Sequence, residues 1–128
     1  MHNSPLAAYQ QIEKTTVSGR ETEARVLTTA ANKLKDCQKN WTNDTKHNQL
    51  NEALEFNQKI WSIFQTELVK PDNPLPDVLK QNLLQLSAFI DKRIFEIMAY
   101  PASEKLNIII NINQNIAAGL RGSLSDAE

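Results

Sequence analysis

The residue types that carry out catalysis or bind metals are sparse in this chain, and their spacing does not bring them into sets. His2 and His47 lie far apart, and neither belongs to a Cys, His or carboxylate set with metal-ligand spacing. Both read as solvated side chains, His47 in the first turn of a helix. Cys37 has Lys35 and Lys39 close by, which would lower its pKa slightly, but no His adjoins it to activate a thiolate. It reads as a buried or idle thiol. Gly119-Leu120-Arg121-Gly122 has the glycines of a phosphate cradle, yet it closes a helical pattern instead of opening one. No catalytic constellation, cofactor motif or metal site emerges, so the expectation is a non-enzymatic protein with no cofactor.

Composition narrows the remaining classes. Lys and Arg number 14 against 15 Asp and Glu, and the charges are interspersed. Such a balance offers no footprint for nucleic acid or an anionic membrane. The 22 Asn and Gln residues are dispersed, which makes them neutral surface filler and not a prion-like tract. A single cysteine excludes an internal disulfide and fits a reducing compartment. No apolar run approaches the roughly 18 residues of a membrane span, and Met1 to Arg20 lacks the pattern of a signal peptide. The sequons at Asn40 and Asn43 are then chance matches, and a cytoplasmic location is expected.

The elements that would position any working surface are helical. Ser4-Pro5 opens a short first helix to about Lys14, and Thr15 to Gly19 breaks it. A second helix, about Arg20 to Asn40, carries Ala24, Leu27, Ala31 and Leu34 at spacings of three and four, and Trp41 continues the stripe. Thr42 to Thr45 is a polar turn. A third helix, about Lys46 to Val69, aligns Leu50, Leu54, Trp61, Phe64 and Leu68. Then comes Lys70-Pro71-Asp72-Asn73-Pro74-Leu75-Pro76-Asp77, whose three prolines stop one helix and favour the start of the next. A fourth helix, about Pro76 to Met98, aligns Leu79, Leu83, Leu86, Ile90 and Ile97. The fifth follows Ser103 and ends at Gly122. Its Ile108-Ile109-Ile110-Asn111-Ile112 alternates like a strand, but no second strand exists to pair with it. Leu106, Ile109, Asn113, Ile116 and Leu120 hold helical spacing instead.

This pattern predicts an all-α fold, an antiparallel bundle of four long helices with the short N-terminal helix packed on it. One domain is expected over 1–122, with a flexible C-terminal tail over 123–128. Trp61 and Leu83 sit centrally on their stripes and are expected in the core. Asn113 lies on an apolar stripe, so it needs a partner if buried, and the backbone of the proline-rich loop is the expected one.

Two helices carry more apolar surface than one core requires. The fourth has a second set, Leu84, Ala88, Phe95 and Met98, about 130° from the first, and the third adds Phe56, Ile60 and Ile63. Each of these residues has a core reading beside a docking reading.

Three blocks then point to a family. Asn57-Gln58-Lys59-Ile60-Trp61, Leu68 to Pro71, and Asn73-Pro74-Leu75-Pro76-Asp77-Val78-Leu79 resemble the central blocks of the FlaF family of bacterial flagellar biosynthesis regulators. The segment Ile112-Asn113 through Ile116 to Gly119-Leu120 resembles its Ile-Asn-x-x-Ile-x-x-Gly-Leu ending, and Tyr9 and Arg20 to Leu27 also fit. Trp61, Pro71, Asn73, Pro76, Asn113 and Gly119 are the structural marks of that likeness. The resemblance implies a cytoplasmic flagellin chaperone or adaptor that promotes flagellin synthesis and type III export for motility. It also implies a functional link to FlbT, a repressor of flagellin translation. Phe56, Ile60, Ile63, Leu84, Phe95 and Met98 are the candidate flagellin-binding residues. The alternative is a regulator acting on flagellin mRNA or through FlbT. Direct RNA binding needs a basic face, and Asp36 interrupts the row of Lys33, Lys35 and Lys39.

Overall fold

The computed structural model describes residues 5–126, with side chains over 19–122. Four helices run α1 Pro5–Lys39, α2 Asn48–Leu68, α3 Asp77–Ala99 and α4 Asn107–Asp126, and a 3-10 turn, Ser103–Leu106, leads into α4. Among the described residues there is no strand. The expected all-α fold is therefore observed, including a helix across the isoleucine run.

Bonds between helices fix their directions. Cys37 Sγ contacts the Gln49 carbonyl at 3.5 Å, and Asn57 Nδ2 donates to the Ala30 carbonyl at 3.2 Å, so α1 and α2 are antiparallel. Gln65 donates to Ser87 Oγ and, at 3.0 Å, to Asp91 Oδ2, which packs α3 on α2, and the short loop from Leu68 to Asp77 turns it back antiparallel. Gln38 donates to Asn107 Oδ1 at 2.8 Å, and Arg121 to Thr28 Oγ1 at 3.0 Å, so α4 descends beside α1. The result is an up-down-up-down bundle. Its core gathers Leu27, Leu34, Leu54, Trp61, Ile90, Ile94, Ile97 and Ile109, all but wholly buried.

Several expectations are corrected. There is no separate short N-terminal helix, because α1 is one helix of 35 residues through Thr15–Gly19. Those residues have low helix propensity, but each costs only tenths of a kcal/mol to about 1 kcal/mol, and none is the proline needed to stop a helix. Likewise α4 passes through Gly122, whose backbone is not left-handed, so Gly122 is no cap. The Ser4 cap lies outside the described residues. So do residues 127 and 128 and the side chains of 123–126, where the tail was expected. Leu83 is half-buried and Leu79 is 42% exposed, while Ile94, absent from the predicted stripe, is buried. The inward stripe of α3 is thus rotated toward Ser87, Ile90, Ile94 and Ile97.

Local capping explains the ends. Asp44, in the polar turn, accepts from the backbone N–H of Gln49 at 3.2 Å and Leu50 at 3.0 Å, capping α2 from four residues upstream. His47 takes a left-handed φ of 56° there, with its ring 5.5 Å from Trp41. Desolvation alone would raise the Asp44 carboxyl, but the N–H groups of Leu50, Gln49 and Asn48 outweigh it and lower its pKa. In the proline-rich loop Asn73 donates to the Glu67 carbonyl at 3.0 Å and accepts from the Leu75 N–H at 3.1 Å. That replaces backbone bonds the prolines cannot make. Pro71 and Pro76 are exposed, and Asp77 opens α3 at the positive end of its dipole.

Candidate partner-binding surfaces

Among the described residues no three metal-ligating side chains come together. Cys37 is buried, and its thiol is pushed up to about 11 by desolvation and then by Asp44, Asp36 and Glu52, against a smaller opposing effect of Lys33. A thiol so shifted is a poor nucleophile. No described helix is long and apolar enough to cross a membrane.

The six candidate residues fall on two surfaces and not one. On α2, Phe56 and Ile60 are half-buried and Ile63 is 49% exposed. At about 100° per residue they lie about 140–180° around α2 from Gln65, the residue that bonds α3. They therefore border α1, whose Lys33 ammonium sits 5.0 Å above the Phe56 ring. On α3, Leu84, Phe95 and Met98 lie within about 40° of Asp91, the α2-facing acceptor of that same bond. They form the outer lip of the α2–α3 seam, with Leu84 half-buried, Met98 40% exposed and Phe95 75% exposed. The spacing of residues 84, 88, 91, 95 and 98 is four, three, four, three. That is the repeat by which one helix receives another.

A third feature was not visible in the sequence. At the proline-rich end, all four helices leave an apolar cleft of about 120 Å³. Leu27, Trp61, Phe64, Leu83, Ile116 and Leu120 line it, Leu75 and Asn73 reach it from the loop, and Glu23 and Glu67 border it. Trp61 and Phe64 meet edge to face there, with centroids 5.7 Å apart. Desolvation raises the pKa of Glu23. Arg20 opposes that shift and Glu67 adds to it. Half-buried Leu83 is a wall of this cleft, which is why it is not a core residue.

The motif residues take structural places. Trp61 is buried, and its Nε1 donates to Asn113 Oδ1 at 2.9 Å. Asn113 is buried as its stripe position required, but its partner is not the loop. Its Nδ2 donates to Asn57 Oδ1 at 2.6 Å, and Asn57 Nδ2 donates to the Ala53 carbonyl at 2.9 Å as well as to Ala30. The loop was the wrong candidate because Asn73 already meets its needs, while Asn57, one turn before Trp61, faces the same interior. Gly119 is exposed, and a Cβ built there would meet nothing within 4 Å, so close packing does not require glycine.

A family model described as Flagellar protein FlaF matches residues 5–120. No curated protein and no solved structure matches the chain.

Proposed function

The chain belongs to the FlaF family of flagellar proteins, and from that premise we propose that it serves flagellum biogenesis as a flagellin-binding chaperone or adaptor. In this reading it holds an amphipathic terminal helix of flagellin in the cytoplasm until type III export, and so favours continued flagellin synthesis. FlbT enters as a functional counterweight to that synthesis. The observation that carries the reading is the outward apolar lip of α3. A bundle helix normally keeps one apolar stripe for its core, whereas α3 adds Leu84, Phe95 and Met98 beside the α2 seam in a helix-receiving repeat. An exposed aromatic flanked by aliphatic side chains is the type of anchor that dominates helix docking once dried.

The test is Phe95→Asp. Because Phe95 is 75% exposed, the substitution should leave the helical spectrum and thermal midpoint at parental values. Flagellin co-purification should fall by roughly tenfold or more, since the charge must be dried on docking. Undiminished flagellin capture by a folded Phe95→Asp protein would count against the α3 lip. Absence of capture by the parent protein would count against the chaperone reading itself.

A further inference from the structure

We infer that the bonded chain Trp61–Asn113–Asn57 is a register latch, which admits one axial setting of α4 against α1 and α2. The apolar surfaces alone do not choose that setting. The buried face of α4 is Leu106, Ile109, Ile110, Asn113 and Ala117, bordered by the half-buried Ile112, Ile116 and Leu120, so its apolar positions recur at spacings of three and four. Opposite it, α1 presents Ala24, Leu27, Ala31 and Leu34 at the same spacings. Sliding α4 by one turn, about 5.4 Å, again sets aliphatic side chains against aliphatic side chains everywhere but at Asn113. Burial of apolar area is non-directional, so it distinguishes such registers poorly.

The polar chain does distinguish them. Each link is directional, and the three side chains are almost wholly out of water. The chain begins on α2, crosses to α4, returns to α2 and ends on the Ala30 carbonyl of α1, so three helices are tied at one level. In a slipped register the Trp61 indole N–H, the Asn57 Oδ1 and the Asn113 amide would be left without partners in a dry interior, while Asn57 Nδ2 would keep the Ala53 and Ala30 carbonyls. Two further bonds tie α4 to α1, Gln38 to Asn107 and Arg121 to Thr28, and both lie on the exposed surface. Water can substitute there, so those bonds penalise slippage less. A buried polar residue that fixes helix register is the best-attested role for such groups.

The test replaces the whole chain with apolar side chains, Asn57→Leu, Asn113→Leu and Trp61→Phe together, the smaller ring leaving part of the room the leucines need. With no polar group left, nothing is orphaned, so the variant is expected to remain helical and to melt cooperatively. What it should lose is uniqueness. The backbone amide NMR spectrum should show more than one set of resonances for Leu106–Leu120, and amide exchange there should quicken by roughly tenfold or more. The variant Asn57→Val, Asn113→Val and Trp61→Phe, equally free of orphaned polar groups, repeats the comparison at nearly parental core volume. A single parental set of α4 resonances in a folded triple variant overturns the inference. Unfolding of both variants also overturns it, since the chain would then be a source of stability and not of register.

Discussion

Replacing Asn113 alone by leucine should be far more damaging than replacing the whole bonded chain. The single change leaves two buried groups without partners, the Trp61 indole N–H and the Asn57 Oδ1. Each orphan costs about 1–3 kcal/mol in an interior that water does not reach. The leucine recovers about 1–2 kcal/mol by apolar burial, but it is larger than the asparagine it replaces, and overpacking offsets much of that gain. The net expectation is a loss of about 2–4 kcal/mol, or roughly 10 °C in thermal midpoint for a domain of this size. Urea denaturation followed by far-ultraviolet circular dichroism and tryptophan fluorescence would measure it. Adding Trp61→Phe to Asn113→Leu removes one orphan, so the pair should cost less than the sum of the single changes by about 1–2 kcal/mol. The reasoning is refuted if Asn113→Leu matches the parent within about 0.5 kcal/mol, or if the two changes simply add.

Three further outcomes follow from burial and charge. Ile94→Ala, in the sealed core, should lose about 2–5 kcal/mol, whereas Leu83→Ala, at the open cleft, should lose only about 1–2 kcal/mol; equal losses in urea would contradict the assignment of Leu83 to the cleft wall. The raised pKa of Glu23 means that its contribution is most favourable below the unfolded-state pKa and is lost as pH rises through the folded value. Glu23→Gln should therefore raise the melting temperature at neutral pH and leave it unchanged in acid, and a variant less stable than the parent at neutral pH would contradict this. Cys37, buried and pushed up to about 11, should resist a thiol reagent at neutral pH until urea unfolds the chain, and rapid labelling of the native protein would place the thiol at the surface.

Much of this architecture was legible before folding because it depends on period and on punctuation. Leucines and isoleucines at spacings of three and four define a helix face whatever lies opposite, and three prolines within seven residues must end one helix before another begins. The buried place of Asn113 was equally readable, since a residue on an apolar stripe goes wherever the stripe goes. The family was legible in the conjunction of Asn73-Pro74-Leu75-Pro76 with the Ile112 to Leu120 ending, and the match over residues 5–120 bears it out. A weak helix segment without proline, Thr15–Gly19, misled because propensity is a small local term beside the cooperative continuation of a long helix. What the sequence left open was which surface meets which. Two adjoining apolar stripes on α3 are nearly equivalent by composition. Only packing against Gln65 of α2 decided that Ser87, Ile90, Ile94 and Ile97 turn inward and that Phe95 turns out. The partner of Asn113 lies 56 residues away on another helix, and only the assembled bundle brings that distance to 2.6 Å. Helical period is a property of neighbours along the chain, whereas a hydrogen bond between helices needs both to be placed first, and that placement belongs to the tertiary structure.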